Sequence, residues 1–254
     1  MEEIDMGKIL EVKNLRKSYD QTEILKGINL SVYEGDFVVI MGRSGSGKST
    51  LLYNMSGMDQ VTSGEVYLEG KEISKLTDDE MSNVRLKKMG FVFQQSQMLK
   101  KLSIKDNIVL PGYKAKEKTQ DKVNRYAEKL MKQVGIEKIG DHDIKKVSGG
   151  QLQRAAICRA LINHPQVLFG DEPTGALNSN ATMEIMEIMR EINKQGTTIV
   201  MVTHDAKVAA WAKRIIYIAD GEIEAELKIE EDNENHHLKQ REEKVNKWLN
   251  SLGF

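Results

Sequence analysis

The sequence concentrates its strongest chemical signal in nine residues, Gly42-Arg43-Ser44-Gly45-Ser46-Gly47-Lys48-Ser49-Thr50. A glycine, four residues and then Gly-Lys-Ser is the spacing of a loop that binds phosphate. Gly42, Gly45 and Gly47 permit backbone conformations that a Cβ blocks, so successive N–H groups can point inward at phosphate oxygens. The start of the next helix adds its own unpaired N–H groups and the positive end of its dipole. Lys48 would reach β- and γ-phosphates, and Ser49 would offer its hydroxyl to Mg²⁺. A Gly/Ser surface loop is the plain alternative. The flanks weigh against it, because the apolar run Phe37–Met41 precedes the loop and Leu51-Leu52 follows it, giving strand, loop and helix in the required order.

Four further places fit the same chemistry. Asp171-Glu172 follows the apolar run Val167-Leu168-Phe169-Gly170, and adjacent carboxylates on an extended chain point to opposite sides. Asp171 could hold Mg²⁺ and Glu172 could face an attacking water, although two acids at a strand end also make an ordinary turn. Gln94 follows Met89–Phe93 and His204 follows Thr197–Val202, so both fall where strands end and ligands collect in an α/β sheet. Ser148-Gly149-Gly150-Gln151 opens an apolar helical pattern, with Ser148 as N-cap and two glycines at the mouth, a second anion-ready terminus. Tyr19, at a strand end, could stack on a flat base or simply pack in a turn.

The elements that must position these residues are legible from periodicity. Strands are predicted at 9–15, 24–32, 37–41, 65–68, 89–93, 167–170 and 197–202, with a closing hairpin of 214–219 and 223–229 across Asp220-Gly221. The opening strands suggest an antiparallel sheet beside a parallel one. Ser74 to Lys88 reads as partly helical. From residue 96 to about Pro165 helical patterns dominate, with Thr119 as an N-cap and Gly135 as a stop. Met183, Met186 and Met189 read as core filling on a helix with Ile185, Ile188 and Ile192. Lysines 100, 101, 105, 114, 116 and 118 read as a solvated basic face. Residues 230–237 read as an acidic linker, and Leu238, Val245, Leu249 and Leu252, with Trp248, as a short amphipathic helix packed on its own domain.

Composition sets the remaining bounds. The 254 residues are 40% hydrophobic and 30% charged, as in a soluble globular protein, and a formal net charge of −1 gives no argument for nucleic acid as partner. No run approaches the roughly 18 apolar residues of a membrane span, and the acidic start Met1–Asp5 is unlike a secretory signal. Work at a membrane would therefore be that of a peripheral subunit. The single cysteine, Cys158, cannot form an internal disulfide and reads as an inert core thiol.

Taken in order, Tyr19, the loop at Gly42–Thr50, Gln94, Ser148-Gly149-Gly150-Gln151, Asp171-Glu172 and His204 give a sequence that resembles the ATP-binding-cassette ATPase subunits of membrane transporters, over roughly residues 8–228. Gly90–Gln95 and Asp171–Leu177 look most like the branch serving macrolide export, lipoprotein release and antimicrobial-peptide detoxification. Val147, Gly170 and Asn178 depart from the family's usual residues. The resemblance implies a P-loop NTPase core of α/β class with a mixed sheet, an antiparallel β subdomain and an inserted helical subdomain. The expected division is 8–95 and 163–228 for a RecA-like core, 96–162 for the helical signature subdomain, and 229–254 for the linker and terminal helix.

The same resemblance implies roles. Tyr19 would stack on adenine; Gly42, Ser44, Gly45, Ser46, Gly47, Lys48, Ser49 and Thr50 would cradle the phosphates of ATP. Ser49, Gln94 and Asp171 would serve Mg²⁺, Glu172 would be the general base and His204 the γ-phosphate switch. Ser148, Gly149, Gly150 and Gln151 would grip the ATP held by a second copy in a head-to-tail homodimer. The chain would then sit at the cytoplasmic face of the membrane and drive an integral-membrane permease, with antimicrobial peptides or drugs as the expected cargo. The rival is a soluble ABC ATPase with a non-membrane partner; such proteins usually carry two cassettes or a long coiled-coil insertion.

Overall fold

The computed structural model describes residues 7–229 and 238–254, so the acidic start and the linker expected at 230–237 lie outside the described residues. The strands are β1 (Lys8–Tyr19), β2 (Thr22–Tyr33), β3 (Phe37–Met41), β4 (Ser63–Leu68), β5 (Lys71–Glu72), β6 (Met89–Phe93), β7 (Val167–Asp171), β8 (Thr198–Val202), β9 (Arg214–Ala219) and β10 (Glu222–Lys228). The α-helices are α1 (Lys48–Met55), α2 (Asp78–Lys88), α3 (Ile104–Ala115), α4 (Gln120–Gln133), α5 (Gly149–Leu161), α6 (Ser179–Lys194), α7 (Ala206–Ala209) and α8 (Leu238–Ser251). Two compact units result, one of residues 1–81 with 193–254 and one of residues 82–192.

The first unit holds two sheets. One is antiparallel in the order β2-β1-β4-β5, and the other runs β10-β9-β3-β8. Both β8 and β9 pair in parallel with β3, whereas β10 is antiparallel to β9. Every residue of β3 and β8 is buried, which is why both read as unbroken apolar runs rather than alternating ones. The β9–β10 hairpin turns on Asp220 and Gly221 with φ of 47° and 83°, the left-handed pair that a two-residue hairpin of the right twist demands. Arg214 ties this unit together, donating to Asp36 at 2.7 Å, Glu226 at 2.9 Å and the Ser31 carbonyl at 3.0 Å.

The terminal helix α8 packs within the same unit. Val245 and Leu249 are buried, and Trp248 meets the ring of buried Tyr217 edge-on with centroids 6.3 Å apart. Phe254 approaches Tyr217 in the same fashion at 6.0 Å. Among the described residues no helix is long and apolar enough to cross a membrane.

In the second unit β6 and β7 pair in parallel, and α3, α4 and α5 follow the helical pattern read from the sequence. Ser103 and Ser148 both cap their helices through a reciprocal capping box. Asn178, one of the departures from the family pattern, caps α6 by accepting from Ala181 N at 2.9 Å. Asparagine is among the best N-cap residues, so the change preserves the helix start.

Thr119 is the N-cap of α4, as read from the sequence, though without a side-chain cap hydrogen bond; the turn closes through Val123 N to the Thr119 carbonyl at 3.0 Å. One reading needs correction: Met183 is 39% exposed while Met186 and Met189 are fully buried. Ile185, Met186, Met189 and Ile192 form the apolar stripe of α6, and at about 100° per residue Met183 falls well off it. The stretch from Ser74 is helical in part, as expected: α2 begins at Asp78, with Ser74 Oγ bonded to Glu72 at 3.0 Å and Thr77 supplying the cap together with Glu80.

Cys158 is fully buried on α5, and burial pushes its thiol up to about 12. A raised value in the folded state means that the thiol's contribution to stability is complete below its ordinary value and fades as pH climbs toward 12. At pH 8 the folded chain is therefore expected to resist iodoacetamide, while the urea-unfolded chain takes up one equivalent, as read by intact-mass spectrometry.

Candidate phosphate and signature sites

In the first unit the loop between β3 and α1 lies against β9. A Cβ added to Gly42 would stand 2.1 Å from the Ile218 carbonyl oxygen and 2.6 Å from Ser46 Oγ, so only glycine lets the backbone run there. Gly45 and Gly47 take φ of 81° and 98°, left-handed values that glycine adopts at no steric cost, and between them Ser46 N donates to the Arg43 carbonyl at 3.2 Å. Lys48 is buried, and its Nζ donates to the carbonyls of Gly42 at 2.9 Å and Arg43 at 2.7 Å. Its ammonium therefore lies folded over the loop. Ser46 Oγ is buried with no hydrogen-bond partner among the described residues, an orphaned polar atom inside the cradle. A cradle of N–H groups, one buried ammonium and one unsatisfied hydroxyl fits a polyphosphate. Ser49 and Thr50 begin α1 behind the loop and are half-buried.

The remaining residues predicted for this side are placed as follows. Tyr19 ends β1 with 46% of its surface exposed, its hydroxyl donating to Asp59 Oδ2 and facing the Thr50 side chain. The hydrogen bond to Asp59, with burial second, pushes the phenol up to about 12. His204 is exposed just beyond β8, next to Asp205, which caps α7 through Lys207 N at 2.8 Å. Arg43, to which the sequence reading gave no role, donates to the Gly253 carbonyl and so links the phosphate loop to the chain beyond α8.

In the second unit Gln94 and Glu172 are brought together. Glu172 adopts φ of 47°, an uncommon conformation for a non-glycine residue, and its carbonyl accepts from Gly175 N at 3.0 Å. A Cβ at Gly175 would stand 2.9 Å from Gln94 Nε2 and 3.2 Å from Glu172 Oε2, so the amide and the carboxylate converge over a position that must stay bare. Asp171 closes β7, paired in register with Phe93 of β6.

Ser148 to Gln151 form the mouth of α5. Gln151 N donates to Ser148 Oγ at 3.3 Å and Ser148 N to Gln151 Oε1 at 2.9 Å. Gly149 and Gly150 occupy the first helical positions, whose N–H groups have no partner within the helix. Cβ atoms there would approach only Leu177 at 3.7 Å and Ala181 at 3.5 Å, so the mouth is uncrowded.

Two residues of α5 went unread in the sequence. Gln153, 2% exposed, donates to the Phe93 carbonyl at 2.9 Å, and Arg159 donates to the Ser96 and Gln97 carbonyls, each at 2.7 Å. Together they hold the backbone on both sides of Gln94. Arg159 is only partly exposed, and burial lowers its guanidinium from the ordinary arginine value.

With this geometry in hand, the comparisons with known proteins agree. Residues 25–175 match the family described as ABC transporter. The chain belongs to that family. This ABC transporter chain is 42% identical over 248 residues to a Macrolide export ATP-binding/permease protein MacB of Campylobacter fetus, covering 96% of this chain and 38% of that one. It thus spans little more than a third of the length of that curated relative. It is also 42% identical over 229 residues to the Uncharacterized ABC transporter ATP-binding protein MJ0796 of Methanocaldococcus jannaschii, covering 87% of this chain and 97% of that protein. Among solved structures, the dimeric post-hydrolysis state of the MJ0796 cassette bound to ADP and Pi aligns with a TM-score of 0.81 at 39% identity, over 88% of this chain and all of that one. The cbiO1 protein of Clostridium perfringens aligns at 0.80 with 29% identity, over 97% of this chain and 98% of that one. The fold is that of an ATP-binding cassette, mixed α/β in class.

Because Gln153 holds the strand end that leads into Gln94, Gln153→Leu is expected to destabilise the protein by about 1–3 kcal/mol, the cost of losing a buried hydrogen bond. Urea unfolding followed by circular dichroism reads the change.

Proposed function

We propose that the chain is the ATP-hydrolysing, nucleotide-binding subunit of an ABC transporter, closing in pairs around two ATP molecules to drive an integral-membrane permease from the cytoplasmic face. One observation carries the reading. A single chain presents two anion-ready helix mouths, the glycine cradle leading into α1 and the Ser148-capped, glycine-lined start of α5. One ATP needs the first for its own phosphates; the second is complementary to a γ-phosphate held by another copy. The dimeric MJ0796 cassette supports this arrangement.

Each residue then has a task. The loop N–H groups and Lys48 bind the phosphates, with Lys48 exchanging the Gly42 and Arg43 carbonyls for phosphate oxygens. Ser49 in the first unit, and Gln94 and Asp171 in the second, carry the hard oxygen atoms that suit Mg²⁺, and the ion they would hold would supply positive charge to the phosphate oxygens. Glu172 accepts a proton from the attacking water, and His204 contacts the γ-phosphate. Tyr19 carries the base. Gln94 would report occupancy to the permease, a role that its convergence with Glu172 over Gly175 supports. The macrolide-export name of one relative supports a drug or peptide as cargo.

The division into a core of residues 8–95 and 163–228, a signature subdomain of 96–162 and a tail of 229–254 belongs to this proposal. Residues 96–162 carry α3, α4 and the mouth of α5, elements that would present Ser148 to the opposite copy.

Glu172→Gln is expected to bind ATP with wild-type affinity, to lower turnover by about 10²- to 10⁴-fold and to elute as a dimer with ATP and Mg²⁺. Wild-type turnover in that variant would reject Glu172 as the base. Gly175→Ala separates this chemistry from stability: the crowded atoms are flexible side-chain ends, so the melting temperature should hold while turnover falls.

A further inference from the structure

At the base end of the site, Tyr19 is held from behind by residues that the reading above does not use. Its hydroxyl donates to Asp59 Oδ2 at 2.5 Å. The other oxygen of Asp59 accepts from Lys17 Nζ at 2.8 Å, and Lys17 also donates to the Gln60 carbonyl at 2.7 Å. The same ammonium sits 4.6 Å from the centroid of the Tyr19 ring, in cation–π range. Lys17 is 8% exposed, rare for lysine without a partner, whereas Tyr19 is 46% exposed. One face of the ring is therefore covered by Lys17, while nearly half of the residue stays exposed.

Asp59 also reaches toward the phosphate end. Asn54 Nδ2, on α1, lies 3.5 Å from Asp59 Oδ2 and donates to the Thr50 carbonyl at 2.9 Å. Burial alone would raise the Asp59 carboxyl, but hydrogen bonds from Lys17 and Tyr19 outweigh it and hold the group low and charged. A charged acceptor binds the phenol more firmly than a neutral one would.

We propose that Asp59, with Lys17, is a positioning residue for the nucleotide base, fixing the Tyr19 ring so that a single preset face meets the purine. The inference rests on the reading of Tyr19 as the base platform. A ring free to rotate loses its freedom when the base binds, and that loss weakens binding; a ring already anchored loses little. Lys17 plays a second part, since a cation on one face of the ring blocks stacking there and leaves a one-sided platform.

The full chain tests this with two probes, ATP and inorganic tripolyphosphate, measured by calorimetry. Tyr19→Phe keeps the stacking ring and deletes only the anchor, and Asp59→Ala deletes the anchor's acceptor. Each is expected to weaken ATP binding by about three- to tenfold and to leave tripolyphosphate binding unchanged. The double variant should be no weaker than the worse single one, because both remove the same bond. The proposal is overturned if Tyr19→Phe binds ATP as the wild type does, if either variant weakens both probes equally, or if the two effects multiply. Tyr19→Ala distinguishes the underlying reading: unchanged ATP affinity there means Tyr19 carries no base, whereas a large loss beside a silent Tyr19→Phe sinks the anchor alone. Should Asp59→Ala fail to fold, Tyr19→Phe decides the matter by itself, since it leaves the Asp59–Lys17 pair intact.

Discussion

The site depends on a close approach that one side chain would forbid. The loop at residues 42–50 can lie against β9 only because position 42 is bare, and from that contact the rest of its geometry follows. With the backbone pressed down, Gly45 and Gly47 take left-handed turns and the Gly42 and Arg43 carbonyls meet Lys48 Nζ. The strand that carries the loop is fully buried between two parallel neighbours.

The second unit answers with different means. There the reactive side chains are placed by convergence, Gln94 and Glu172 sharing the space over Gly175, and by strain, with Glu172 held at a positive φ. A residue in that conformation costs free energy that the surrounding turn must supply, here through the Gly175 N–H to the Glu172 carbonyl. The two candidate sites are thus built on unlike principles: the glycine loop on absent side chains, the turn at Glu172 on crowded ones.

Much of this was legible in the sequence because it is written locally. The fully buried runs of β3 and β8, the Ser148 capping box and the Asp220-Gly221 turn all declare themselves within a few residues. The phosphate loop did so most clearly, since spacing and flanks sufficed. What stayed hidden lives in contacts between distant residues. Gln153 drew no reading, because its partner, the Phe93 carbonyl, lies sixty residues away, and Asp59 drew none, because Tyr19, forty residues before it, donates to it only in the folded chain. Met183 failed for a related reason, because a methionine three residues from another shares its face only if the stripe is centred between them.

One consequence concerns α5. Its thirteen residues form a stiff rod of about 20 Å, capped at the open end by Ser148 and clamped farther along by Gln153 and Arg159 to the segment around Gln94. The Ser148-capped start of the helix and the backbone around Gln94 are therefore joined through one rigid element by three short side-chain hydrogen bonds.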